Sequence, residues 1–186
     1  MNYVLLTIGK THTGKSTFAK ELVEDIPNGV ILETDSIALF LKDTFPKLHA
    51  FDLDHNGSFS SPSLKFLAFR TVLTFALEKN FNIIMSNSNM YENGRKDVLS
   101  IINKYPMKTI GLYLNYPEEI ILERAKNSKR DIKVLSVSKD FNELIMNQRT
   151  RFQAPNRTDF DYFFEVKNPE ELPDIKNKIV ELYKNY

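Results

Sequence analysis

Four residues near the N-terminus, Gly9, Gly14, Lys15 and Ser16, carry the clearest chemistry in the chain. They fit the spacing G-x-x-x-x-G-K-[ST] of a phosphate-binding loop. Glycines at those two positions let main-chain N–H groups curl around phosphate oxygens. A helix starting at Lys15 would add the partial positive charge of its N-terminus. Lys15 is expected to reach β- and γ-phosphates, and the Ser16 hydroxyl to ligate Mg2+. The stretch Gly9, Lys10, Thr11, His12, Thr13, Gly14, Lys15, Ser16 and Thr17 is therefore the expected binding site for ATP.

The flanking residues suit that reading. Tyr3 to Ile8 is an apolar, β-branched run expected to be a buried strand, and Phe18, Ala19 and Leu22 recur at helical spacing. Beyond them, Pro27-Asn28-Gly29 marks a turn and Val30 to Thr34 a second strand. Ser36 to Phe45 reads as a helix stopped by Pro46, and residues 47–63, rich in Asp, Asn, Gly and Ser, as a loop. Leu64 to Lys79 is an amphipathic helix with Leu64, Leu67, Ala68, Thr71, Val72, Phe75 and Ala76 along one face. Further strands are expected at 81–85, 109–114 and 162–166. Helices are expected at 92–104, 117–125, 141–152 and 170–183. Five apolar strands alternating with helices predict a parallel sheet covered on both faces, an α/β three-layer sandwich in one domain spanning 1–186. In such sheets ligands sit beyond the carboxyl ends of the strands.

That rule selects further candidates. Asp35 follows strand two, where a carboxylate could take the proton of an attacking hydroxyl; it is equally a good cap for the next helix. Strand three runs into Ser86-Asn87-Ser88-Asn89, where a metal-supporting Asp is usual in phosphoryl-transfer sites and Asn87 or Ser86 stands instead. Asn87 and Asn89 fit either substrate binding or plain turn chemistry. Glu123 to Arg130 gathers cations beside a polar stretch, and a lid over about 126–140 could bring Arg130 to a γ-phosphate; a solvated helix end explains the same charges. Asp52 to Gly57 resembles half of a calcium loop, but Ser63 stands where a bidentate Glu is needed, so it reads as an Asx-rich turn. His12, His49 and His55 lack metal-ligand spacing.

Taken together, the chain resembles the small P-loop kinases grouped with polynucleotide 5′-hydroxyl kinases and zeta-toxin-like proteins. The likeness runs from Tyr3 to about Pro155. It places Asp35 at the general-base position, Ser86 to Asn89 and Arg95 at the strand-three segment, and Lys126 to Arg130 at the lid with Arg130 as its catalytic Arg. Phe152-Gln153-Ala154-Pro155 is similar to the segment that closes the lid helix near the base. The resemblance implies a P-loop NTPase fold with a short lid, MgATP as cofactor, Lys15, Asp35 and Arg130 as catalytic residues, and Asn87, Asn89 and Arg95 lining the acceptor side. Two departures bear on the acceptor: Ala38 replaces an Arg that holds a substrate phosphate, and Asn87 replaces an Asp.

Composition sets outer limits. The chain has 186 residues, formal net charge +1 and no cysteine, which excludes disulfides, thiolate metal sites and a Cys nucleophile. Near-neutral charge and Ala38 both weaken nucleic acid as the acceptor. With no apparent secretory leader and no apolar run of membrane length, a cytoplasmic protein without membrane contact is expected. An ATP-dependent kinase acting on a hydroxyl is the expected function, with a nucleic-acid 5′-hydroxyl or a small metabolite as acceptor. Two rivals are an NTPase or switch module without an acceptor, and a nucleic-acid-binding protein with a vestigial ATP site.

Overall fold

The computed structural model describes residues 2–55, 63–128 and 141–184. At its centre lies β1 (Asn2–Ile8), apolar apart from Asn2 and Thr7 and buried from Tyr3 onward. It pairs in parallel with β3 (Asn82–Met85) on one side and β4 (Met107–Leu114) on the other. Outside these lie β2 (Gly29–Leu32) and β5 (Tyr162–Val166), giving the order β2-β3-β1-β4-β5.

Strand alternation splits the core in two. Tyr3 and Leu5 point to one face, with Phe18, Leu22, Ile121, Ile145 and Ile179 from α1 (Lys15–Val23), α6 (Glu118–Lys126), α7 (Phe141–Arg151) and α8 (Leu172–Lys184). Val4, Leu6 and Ile8 point to the other, against Phe69, Leu73, Leu99 and Ile102 from α4 (Leu64–Glu78) and α5 (Glu92–Ile102). This is the three-layer α/β sandwich expected from the alternating pattern. No described helix is long and apolar enough to cross a membrane.

Three local expectations fail. The expected loop over 47–63 contains a helix, α3 (Pro46–His55). Pro46 stops α2 (Thr34–Thr44) yet suits the first turn of the next helix, whose missing N–H partner costs nothing there. Asp52 accordingly does not open the expected Asx-rich turn: it lies within α3, is buried, and its Oδ1 accepts from the Leu64 N–H at 2.8 Å, at the start of α4. On α4 itself the buried residues are Phe69, Leu73, Ala76 and Leu77. Of the expected core face only Ala76 is buried; Leu67, Val72 and Phe75 are 47%, 44% and 58% exposed.

Candidate active site

β1 delivers the chain to the carboxyl edge of the sheet at Ile8, and α1 begins at Lys15. The loop between them needs both glycines. A Cβ on Gly9 would stand 2.9 Å from the Leu114 carbonyl and 3.0 Å from Thr13 Oγ1. Gly14 caps α1 with φ 90°, a left-handed conformation that side chains strain to adopt. Thr13 Oγ1 donates to the Lys10 carbonyl at 2.9 Å, and Lys15 Nζ folds back on that carbonyl at 2.5 Å. The loop thus wraps around its own lysine. Thr11 to Thr17 line one open cavity of about 920 Å3; Gly9 and Lys10 shape the loop from behind, and Lys10 reaches toward Glu118, 4.0 Å away.

Across the cavity stands a residue that the motif reading missed. Glu33 follows the last residue of β2 and precedes α2, and its Oε1 accepts from Ser16 Oγ at 2.7 Å. Ser86, at the end of β3, brings its hydroxyl to 3.3 Å from Ser16 Oγ and 3.4 Å from Glu33 Oε1. Ser36 Oγ holds the second carboxylate oxygen at 2.7 Å. Two hydroxyls and a carboxylate thereby meet where three strand or loop ends converge. An all-oxygen set of this kind suits a hard dication such as Mg2+. No group of three His, Cys, Asp or Glu side chains able to hold a metal occurs among the described residues. A dication here would therefore rest on Ser16 and oxygens brought by a ligand, with the Glu33 carboxylate behind Ser16. The signal in sequence was faint: one Glu between an apolar strand and a helix, two residues before Asp35.

Asp35 lies in the first turn of α2, half-buried, and lines the same cavity as Lys15. Asn87 lines the cavity too, but its carbonyl oxygen is engaged, accepting from Thr34 N at 2.8 Å and Thr34 Oγ1 at 2.5 Å. It braces β3 to the turn that carries Glu33 and Asp35.

Asn89 and Arg95, expected to line the acceptor side, are not among the residues lining this cavity. Asn89 takes a left-handed turn, φ 45°, and its Nδ2 donates to the Thr7 carbonyl at 2.8 Å. Arg95 is 1% exposed and sits on the same helix face as Leu99 and Ile102. Its Nη1 donates to the carbonyls of Asn89 at 2.8 Å and Gln153 at 2.9 Å, and its Nη2 to that of Ala154 at 3.1 Å. Burial lowers its pKa, opposed by Asp159 and Glu92. Its job is to tie the turn after β3 to the segment after α7. Arg130 lies outside the described residues, as does most of the expected lid.

The described cations on the cavity are Lys15, Lys20, Arg124 and Arg151. Arg124, from α6, comes so near the loop that a Cβ on Gly14 would be 3.5 Å from its Nη1; its guanidinium also lies 5.2 Å above the Tyr116 ring. Helix α7 closes the far wall. Its buried Gln148 accepts the Thr11 N–H at 2.7 Å, and Phe141 meets the His12 ring edge-on at 4.3 Å. Glu118 of α6 anchors α7 by a two-pronged contact with Arg149, whose guanidinium holds its carboxyl below the ordinary value. The phosphate loop is thus held by α7 as well as by β1 and α1.

With this fold and this loop, comparison with known proteins is specific. A family model described as an AAA domain matches residues 4–155, and the chain belongs to that family. Among curated proteins it is similar to the L-seryl-tRNA(Sec) kinase of Methanococcus maripaludis, 27% identical over 176 residues. That match takes in 92% of this chain but only 57% of the relative's length. Two solved structures share the fold. The APS kinase of Mycobacterium tuberculosis, in complex with AMPPNP and APS, superposes with TM-score 0.62 at 12% identity, covering 98% of each chain. The shikimate kinase of Bacteroides thetaiotaomicron gives 0.59 at 17% identity, again over 98% of each.

Proposed function

We propose that this protein is an ATP-dependent kinase that moves the γ-phosphate of MgATP to a hydroxyl of an acceptor. The observation that carries this reading is the placement of two carboxylates opposite one phosphate loop. Glu33 is bonded to Ser16, and Asp35 stands two residues further on, in the first turn of α2 and on the same cavity. A hydrolase or switch needs the first; a carboxylate set beside the transferred phosphate suits a hydroxyl acceptor. Thr11 to Thr17 would cradle the phosphates, with Lys15 leaving the Lys10 carbonyl to meet them. Mg2+, when bound at Ser16 with Glu33 behind it, would offset charge on the phosphate oxygens. Asp35 would orient the acceptor O–H and take its proton as the new O–P bond forms; the bond from the γ-phosphorus to the bridging oxygen breaks and ADP departs. Arg124 and Arg151, with Arg130 of the lid, would place cations around the transferred group.

The relative among seryl-tRNA kinases supports a narrower form of this reading, a primary hydroxyl carried on a larger molecule. A small metabolite fits the cavity as well. The resemblance to polynucleotide 5′-kinases extends the acceptors to a nucleic-acid 5′-hydroxyl, against which Ala38 and the +1 net charge weigh. The test is ADP formation with and without a panel of acceptors: 5′-hydroxyl RNA and DNA, seryl-tRNA, nucleosides, sugars and small hydroxy acids. Wild type is expected to respond to one class, and Asp35→Asn to lose that response while still binding ATP. Unaltered turnover in a folded Asp35→Asn protein would remove the base. ADP release indifferent to every acceptor would favour the NTPase reading.

A further inference from the structure

Helix α4 is apolar on two sides. One side, Phe69, Leu73, Ala76 and Leu77, packs on the sheet. The other carries Leu67, Thr71 and Phe75 at successive four-residue steps, the same side of a helix, and faces out. A helix apolar around most of its girth is normally covered on all sides. Its neighbours continue the pattern. Phe40 and Phe45 of the α2 region and Leu48 and Phe51 of α3 are 60%, 47%, 51% and 57% exposed, and α2 packs against both α3 and α4.

We infer that this layer is the contact face of a homodimer, formed by α4 packing antiparallel on α4 of a second copy. Two features select a second copy over a different protein. First, the stripe is complementary to itself. A two-fold axis at Thr71 sets Leu67 of each copy against Phe75 of the other and leaves the small Thr71 at the crossing, where the helices approach closest. A shallow groove lined by Leu67, Arg70, Thr71, Thr74, Phe75 and Glu78 lies along that line and can receive the opposing Phe75 ring. Second, the area is adequate. At roughly 200 Å2 for a fully exposed aromatic side chain, Phe40, Phe45, Leu48, Phe51, Leu67 and Phe75 offer about 600 Å2 of apolar surface per copy, to which Thr71, Thr74 and the stems of Arg70 and Glu78 along the groove add. A stable interface of ordinary size buries about 800 Å2 on each partner, and solitary proteins rarely show more than about 300–600 Å2 of apolar surface in one patch.

The dimer would bear on the candidate site through α2, whose first turn holds Asp35. The test uses the full chain. Sedimentation of wild type at about 50 μM, above the micromolar end for such interfaces, is expected to give twice 21.6 kDa. Phe75→Glu is expected to raise the dissociation constant about 30-fold or more, with an unchanged circular dichroism spectrum. Because the chain has no cysteine, Thr71→Cys gives a clean readout of register: it should cross-link to a dimer on mild oxidation, and Lys178→Cys on α8 should not. A wild type of 21.6 kDa at this concentration overturns the inference, whether the face is then found to bind lipid, another protein or nothing. So does a dimer that survives Phe75→Glu or links as readily through Lys178→Cys.

Discussion

Replacing Glu33 by glutamine keeps the shape of the residue at the end of β2 and removes one negative charge. The Gln carbonyl can still accept from Ser16 Oγ, now 2.7 Å from Glu33 Oε1, so the fold should be undisturbed. The loss should fall on the dication. An ion ligated through Ser16 would stand about 5 Å from the carboxylate, allowing for a metal–oxygen bond of about 2.1 Å. The cavity is open, so a water-like dielectric applies. A double and a single charge at that distance then interact by about 1.7 kcal/mol, or about 20-fold in affinity. Loss of outer-shell metal partners elsewhere costs about 10–100-fold, the same range. The assay is ATP turnover, or binding of a fluorescent ATP analogue, across a Mg2+ titration. Glu33→Gln should shift the half-saturating Mg2+ upward by about 20-fold and leave the plateau within a few-fold of wild type. An unchanged Mg2+ midpoint would refute the metal-supporting role, and a lost plateau with an unchanged midpoint would move Glu33 into the chemical step.

Three other outcomes follow from packing and charge. Gly111→Ala places a Cβ 2.8 Å from the Phe160 ring and 2.9 Å from Phe163, so chemical denaturation should show about 1–3 kcal/mol lost. Arg95→Met leaves the carbonyls of Asn89, Gln153 and Ala154 without their donor; about 2–4 kcal/mol of stability should go, while the acceptor KM of whatever activity remains stays put, the opposite of what an acceptor-side Arg would give. Partial burial pushes the Asp161 pKa up, but Lys108 and the N–H and hydroxyl of Thr109 outweigh it and hold it below its usual 3.8. A lowered folded-state pKa means stability present above the unfolded value and lost as pH falls through the folded one. The stability gap between wild type and Asp161→Asn should therefore be full near neutrality and close as pH drops below about 4.

How far these features were legible depended on whether they were local. The phosphate loop needs residues adjacent in sequence, and Gly9 to Thr17 announced it, as the apolar runs announced all five strands. Glu33 was hidden because its meaning comes from Ser16 and Ser86, brought to it only by the parallel pairing of β2, β3 and β1. Gln148 was equally silent until α7 laid it on the Thr11 N–H. The burial of Arg95 was legible from its helical phase, shared with Leu99 and Ile102, but its three carbonyl partners were not. Helix α4 is ambiguous for the opposite reason: with apolar residues on two sides, periodicity alone does not say which side meets the sheet, and Leu67, Val72 and Phe75 of the expected face point away from it. Pro46 both stops α2 and opens α3, and the second role has no separate signal in the sequence.

The kinase account is tested most directly by following the γ-phosphate itself. ATP labelled at that position would be incubated with wild type and each acceptor class, and the products separated. The account requires label covalently attached to one acceptor class, abolished by Lys15→Ala and by Asp35→Asn. Label recovered only as free phosphate, at the same rate with every acceptor and in Asp35→Asn, would contradict it.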